Sequence, residues 1–394
     1  MNARHRSGTT WGNALISALL HLPLLLLALP TLLLCAQLLA ALPHRRAAHP
    51  SPWPSRPPLA VLVPAHNEAA GITVTLAAIQ RQLTPADQLL VVADNCDDHT
   101  AAVAAASATV IERRAPQLRG KAHALAFGLQ WLAQHPPAIV ICIDADCALD
   151  QHALDWLAHR CASSGRPAQA RYLMHSPVPA TPQHLIAEFA WRLKNCLRAL
   201  GRERLGMACQ LTGSGMALPW SALQNIVLEN HLAEDLALGL ALAAQGHAPL
   251  YCHEAVLHST FASNAEGAGA QRTRWEHGHL HLLRHHAPRH LLDALRRRNW
   301  RHASLALDLC VPPLSLLIML VALATAIPLL AWLIKPWLLL PCAMLAVTLL
   351  ATWAVHGRDL LPLRRLGGVV TYILAKIPLY LRRRQRDWIA TKRD

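Results

Sequence analysis

Two aspartates one residue apart, Asp144 and Asp146, close the apolar run AIVICI at 138–143. Alternate residues ending a buried strand can share one cation, and hard carboxylate oxygens suit Mg2+ or Mn2+. Two more acidic groups follow apolar runs in the same way: Glu68 in PAHNE (Pro64–Glu68) and Asp94 in DNCDD (94–98). Asp and Asn also favour turns and helix N-caps, and Asp98, ahead of HTAAVAAA, reads as such a cap. In RGKAHAL (119–125), Arg119 and Lys121 set two cations at a helix start, an arrangement that suits a diphosphate. Glu234 and Asp235 open another helix, where they either complement its dipole or supply a general base for a hydroxyl. In QRTRWEHGHLH (271–281), helical spacing brings Gln271, Arg274 and Trp275 to one face. An arginine fork binds phosphate or carboxylate, and a tryptophan face suits a sugar ring or a base. Neither G-x-x-x-x-G-K-[ST] nor G-x-G-x-x-G occurs, so the chain has no P-loop and no dinucleotide fingerprint.

These groups need a frame. Short apolar runs at 59–63, 89–93, 109–112 and 138–143 read as strands, and the segments 69–83, 99–107 and 121–135 read as helices. Such alternation predicts an α/β domain with a mostly parallel sheet and helices on both faces. Its ligands bind beyond the C-terminal strand ends, where the clusters at 64–68, 94–98 and 144–146 fall. After Asp150 the pattern loosens. RPAQARYLMHSPVP (166–179) reads as an edge strand and loop, and PQHLIAEFAWRLKNCLRAL (182–200) as an amphipathic helix. LTGSGMALPW (211–220) reads as a glycine turn, and HLAEDLALGLALAAQG (231–246) as a helix with a glycine stop.

The chain is apolar yet carries a formal net charge of +14 over 394 residues. That balance fits a membrane protein with basic flanks better than a nucleic-acid binder. The runs Leu15–Leu42, Ser304–Ile334 and Pro336–Val355 each reach the roughly 20 apolar residues that cross a bilayer core. The first is too long for a signal peptide, and LPHRR follows it without a small-residue cleavage site. Arginines at 45–46, 296–298 and 382–384 put the central region and the C-terminus in the cytoplasm of a bacterial-type plasma membrane. The expected organisation is a span with flanks at 1–50, a proline-rich linker at 51–58 and a catalytic domain at 59–287. An interfacial segment with two spans follows at 288–357, then a surface helix and basic C-terminus at 358–394. The ten cysteines show no C-x-x-C pair and read as reduced thiols that pack as small hydrophobes. His277 and His281 lie four apart, a spacing that admits zinc. Histidine is frequent along the whole chain, however, and no cysteine or carboxylate set joins them, so this stretch reads as a polar interfacial face.

In order and spacing, VPAHNE, VVADNCDD, RGKAHAL, DAD, ED and QRTRW resemble the family 2 glycosyltransferases, in particular the membrane-bound branch with cellulose, chitin and hyaluronan synthases. QRTRW matches the pattern Q-[QR]-x-R-W in full, and the resemblance runs from about Leu59 to Leu283. It implies a GT-A type, Rossmann-like domain that transfers a sugar with inversion from a nucleotide diphosphate sugar, expected to be a UDP-sugar. The implied acceptor is polyprenyl-linked or a growing polysaccharide, and the implied cofactor is Mg2+ or Mn2+. By motif, Asp94 would contact the base, Asp144 the ribose and diphosphate, Asp146 the metal and Lys121 the nucleotide. Pro64, Glu68 and Glu234 would line the substrate, and Asp235 would be the base. Gln271, Arg274 and Trp275 would hold the diphosphate and the acceptor sugar. Two positions depart from the family: Ala93 stands for the first aspartate of the second motif, and Ala233 for the threonine before Glu-Asp. The expected use is limited sugar addition in exopolysaccharide assembly. The alternatives are a processive, secreting synthase and an inactive nucleotide-binding scaffold.

Overall fold

Strand β1 (Leu59–Ala65) is buried on both faces, as a strand covered by helices on either side must be. It belongs to an eight-stranded sheet in the computed structural model, which describes residues 4–44, 56–228, 231–262, 264–330 and 339–382. β2 (Gln88–Asp94) and β3 (Thr109–Arg113) follow in parallel on one side of β1. β4 (Ile139–Cys142) lies parallel on the other side. β5 (Ala148–Leu149), β6 (Ala168–His175), β7 (Met216–Pro219) and β8 (Leu250–Thr260) complete the order β3-β2-β1-β4-β7-β6-β8-β5. β7 is antiparallel to β4 and β6, β6 and β8 are parallel, and β5 is antiparallel to β8. Alternation divides β1 between two cores. Leu59, Val61 and Val63 pack with the helices Ile72–Gln80 and Ala153–Ser164. Ala60 and Leu62 pack with Lys121–Leu132 and Glu234–Ala244. This mixed α/β, mostly parallel arrangement is consistent with the GT-A type.

The first four strands and their crossover helices form where the sequence puts them. The second half differs. The predicted edge strand at 166–179 is β6, which lies inside the sheet between β7 and β8. The glycines of LTGSG mask β7. The histidines and acids of LYCHEAVLHST mask β8, which has no continuous apolar run. The helix over 182–200 is present but contains a π-helical turn, Arg192–Leu197, between the helices Pro182–Trp191 and Arg198–Arg204.

The helix Arg4–Ala41 contains a stretch, His21–Ala41, long and apolar enough to cross a membrane. The predicted second span is not one helix. Pro312 and Pro313 separate Trp300–Leu309 from Leu314–Leu330, and the two axes differ by 72°. The first half packs inside the protein because of Asp308, which is 2% exposed. Its carboxylate accepts from Gln37 Nε2 at 2.7 Å, Arg198 Nη2 at 2.8 Å, Gln210 Nε2 at 2.5 Å and Arg202 Nη1. A charge so caged belongs to the protein interior and not to lipid. The helices Arg4–Ala41 and Arg198–Arg204 approach there backbone to backbone: a Cβ on Gly201 would lie 1.7 Å from the Gln37 carbonyl oxygen.

Where the third span was predicted, an apolar helix forms, Leu340–His356, whose 17 residues fall short of spanning length. Among the described residues, one helix is long and apolar enough to span, or two if the bent pair is one span. The predicted single surface helix over 358–384 is broken into a 3-10 turn at Leu363–Arg365 and the short helices Gly367–Leu374 and Ile377–Leu381. Lys376 docks this segment by a 2.5 Å bond to Glu276, beside Trp275. Arg45, Arg46, Pro336, Arg384 and most of the 51–58 linker lie outside the described residues. All ten cysteines are free and most are buried, as expected.

Replacing Asp308 by alanine leaves two buried arginines without their acceptor. Unfolding free energy, measured by denaturant titration of purified protein, should fall by about 3–5 kcal/mol. An unchanged midpoint would show that the network contributes nothing.

Candidate active site

Registers Pro64↔Val92 and Leu62↔Cys142 bring the C-terminal ends of β1, β2 and β4 level along one sheet edge. The starts of the helices Lys121–Leu132 and Glu234–Ala244 converge there. One cavity opens at this edge. Its wall includes Pro64, Glu68, Asp94, Lys121, Asp144, Asp146, Glu234, Asp235, Gln271, Arg274 and Trp275, every residue to which the family resemblance gives a role.

Asp94 ends β2 opposite Arg113 of β3, and the two form an ion pair at 2.5 Å. Asp98, the expected cap, accepts from the Thr100 backbone N–H at 2.9 Å, but His99 holds the N-cap position, so Asp98 steadies the turn just ahead of the helix. Lys121 does open its helix, but the two-cation anion site does not form as expected: Arg119 is exposed and stands outside the cavity wall. Lys121 Nζ donates to Asp144 Oδ1 and, at 2.8 Å, to the Gly213 carbonyl. Gly213 has a φ of +90°, which disfavours any side chain, and its Cβ position lies in contact with Lys121 Nζ at 3.4 Å and Asp235 Oδ2 at 3.5 Å. The glycine turn is therefore the cradle of both groups. Asp146 accepts from Ser259 Oγ at the end of β8. Ligand atoms of Asp144, Asp146 and Cys147 lie within 4.8 Å of one another.

Burial alone would lower the Lys121 pKa, but Asp144, Glu234 and Asp235 outweigh it and hold the ammonium charged. Burial, then repulsion from Asp235, pushes Glu234 up to about 7, against the pull of Lys121 and Arg274. Burial also raises Asp235, which is opposed by the Leu236 N–H and Lys121. With Ala233 at the N-cap, no side chain caps this helix.

The helix Ala265–His285 is capped by Asn264, which accepts from Gly267 N at 2.6 Å. It carries Gln271, 3% exposed, together with Arg274 and Trp275 into the cavity. Trp275 packs on Trp191, with ring centroids 4.9 Å apart, and Trp191 Nε1 donates to the Tyr172 carbonyl at 2.8 Å. Tyr172, Trp191, Lys194 and Asn195 also line the cavity, and sequence reasoning missed them. Their one sequence sign is a polar pair, Lys194–Asn195, inside a largely apolar helix. A second cavity adjoins the first and shares Trp191, Lys194, Gln271 and Trp275 with it. It continues past Ala187, Phe261 and Tyr372 to Leu34 and Leu314 of the apolar helices. The histidines of 277–286 part company. His277 bonds the Leu379 carbonyl at 3.0 Å and His279 the Leu309 carbonyl at 3.1 Å, while His281 faces His231 and His286.

A family profile described as Glycosyltransferase like family 2 matches residues 57–278. No curated protein sequence matches the chain. Among solved structures, the mannosyltransferase PcManGT from Pyrobaculum calidifontis, in complex with GDP-Man and Mn2+, is similar at a TM-score of 0.54 and 20% identity. The likeness covers 90% of this chain and 99% of that one, and at this identity it is a likeness of fold. Glucosyl-3-phosphoglycerate synthase from Mycobacterium tuberculosis, solved with Mn2+, UDP and glucosyl-3-phosphoglycerate, is 20% identical over 59% of this chain and 86% of that chain, at a TM-score of 0.40.

Because folding raises the Glu234 pKa to about 7, the pair's contribution to stability is greatest at low pH and is lost as pH rises through that value. A reaction whose base belongs to this coupled pair should speed up as rising pH ionises the pair. We expect kcat/KM to rise with an apparent midpoint near 7, and Glu234→Gln to move the limb to lower pH. A profile that is flat there in the wild type would refute the pairing.

Proposed function

This chain belongs to the glycosyltransferase-like family 2 and is a glycosyltransferase, and we propose that it transfers a sugar with inversion from a nucleotide diphosphate sugar, a UDP-sugar being expected, to a lipid-linked acceptor in cell-surface glycan synthesis. The observation that carries this reading is the convergence of Asp144 and Asp146, Glu234 and Asp235, and Gln271, Arg274 and Trp275 on one cavity. Asp94, fixed by Arg113, faces the nucleoside. Lys121 and Arg274 face the diphosphate, and Asp235 takes the proton of the attacking hydroxyl. Trp275, backed by Trp191, offers a ring face to the acceptor sugar. Asp144 and Asp146 fit a divalent cation: their ligand atoms are hard oxygens within 4.8 Å, and Mn2+ is present in the similar mannosyltransferase. Asp146 would hold Mg2+ or Mn2+, which when bound neutralises charge on the leaving diphosphate.

The second cavity favours the lipid-linked acceptor. Its surface is mostly apolar, with Arg198, Arg272, Glu276 and Lys376 among the lining residues; it shares the Trp275 wall and ends among helices that carry membrane-length apolar sequence. Burial lowers the pKa of Lys194 at its mouth, with Asp235 opposing. We place the chain in a plasma membrane as a multi-pass protein with this domain in the cytoplasm. The QRTRW match also supports a processive synthase, but such a synthase must enclose its polymer in helices. A scaffold has no need of the acids, the base and QRTRW together.

Labelled nucleotide sugars and lipid acceptors, offered one at a time to purified protein with products read by mass spectrometry, test the reading. Asp235→Asn should lose about 10²–10⁴-fold in kcat while nucleotide binding persists. Asp146→Asn should lose turnover and the metal-dependent part of donor binding. Full wild-type activity in excess chelator would remove the metal from the reaction.

A further inference from the structure

We propose a second metal site, distinct from the carboxylate pair, in which His231, His281 and His286 hold Zn2+ and fasten the base-bearing segment to the QRTRW helix. One ring nitrogen from each of the three lies within 4.8 Å of the other two. Ring centroids are 5.9 Å for His231–His281, 5.0 Å for His231–His286 and 5.8 Å for His281–His286. The interplanar angles are 47°, 82° and 59°, so the rings are splayed around a common point and none is stacked on another. Nitrogens around a tetrahedral zinc stand about 3.3 Å apart, given Zn–N bonds of about 2.0–2.1 Å. Rotamer adjustments of about 1 Å would therefore close the set. Three imidazoles select a borderline metal such as zinc, whereas Asp144 and Asp146 select Mg2+ or Mn2+. All three histidines are partly exposed, which gives the ion and a completing water an entry path.

The placement gives the site its purpose. His231 lies three residues before Glu234 and four before Asp235. His281 is in the helix that carries Gln271, Arg274 and Trp275, and His286 joins that helix to the next, Ala287–Arg296. The seam between the segment and the helix is already tight: a Cβ on Gly278 would lie 3.0 Å from the Ala233 Cβ. No side chain caps the helix that begins at Glu234, so a metal bridge would supply the restraint on Asp235 that a capping threonine would otherwise give.

The test uses the full chain in detergent, stripped with chelator and titrated with Zn2+, without donor or acceptor sugar. Bound metal is counted by elemental analysis, and Co2+ serves as a visible-absorption probe. We expect about one zinc that survives Asp146→Asn, raises the thermal transition, and binds at least about 100-fold more weakly in His281→Gln and in His231→Gln. Tetrahedral Co2+ bands should appear in the wild type and vanish in both variants. Metal-free variants should melt with the metal-free wild type, which shows that they fold. Should His281→Gln melt lower, His231→Gln, outside regular structure, carries the comparison. Zinc retained equally by both variants, or no zinc bound by the wild type, overturns the site. Either result leaves the sugar-transfer assignment standing, because no turnover is measured.

Discussion

The carboxylate of Asp308 fixes the relation between the catalytic sheet and the apolar helices. Three segments meet on it, through Gln37, through Arg198 and Arg202, and through Gln210. Taking one carboxylate and two guanidiniums out of water is costly, and only close, multiple hydrogen bonding offsets it. The arrangement therefore admits little slack. It draws the helix Trp300–Leu309 onto the domain, so the chain must turn at Pro312 and Pro313 before it can run on as the apolar helix Leu314–Leu330. It also seats Gly201 against Gln37, where any side chain would collide with backbone.

From that seat the cavity inherits its walls. The helical segment that supplies Arg198 and Arg202 also supplies Trp191, Lys194 and Asn195. Inside, the charges are arranged in opposition. Lys121 stands among Asp144, Glu234 and Asp235, and Arg274 offsets Glu234. Acids outnumber the cations that touch them, an imbalance suited to a site that must accept a divalent cation together with an anionic diphosphate. The groove beyond Trp275 is more apolar than the cavity it adjoins, although Arg198, Arg272, Glu276 and Lys376 also line it.

Much of this is legible in the chain itself. β1, β2 and β4 are short, doubly buried apolar runs, and a parallel sheet places functional groups at their C-terminal ends, so the acids at 68, 94, 144 and 146 could be located before any coordinates. The other half resists because its signals are mixed. β7 is hidden by glycines whose positive φ serves Lys121 and Asp235. β8 carries histidines that pair across the sheet, such as His258 with His175 at 2.8 Å. The run 304–334 counts as a membrane span by composition, and one acid with distant partners changes its fate. Arg113, Trp191 and Lys194 act through tertiary contacts that no local spacing announces.

The π-helical turn at Arg192–Leu197 makes one further property of the fold plain. Relative to an α-helix it winds in one extra residue, and each residue of an α-helix accounts for about 100° of rotation. Trp191 lies on one side of that extra residue; Arg198 and Arg202 lie on the other. The turn thus acts as a phase-setting screw between the cavity and the apolar helices that meet at Asp308. Shortening it by one residue can spare Trp191, Arg198 and Arg202 and still point the arginines away from Asp308, or else swing the tryptophan out of the cavity. At this place the chain's information is held in its residue count and not in its residue types, and a deletion there is an all-or-none event that no compensating substitution nearby can undo.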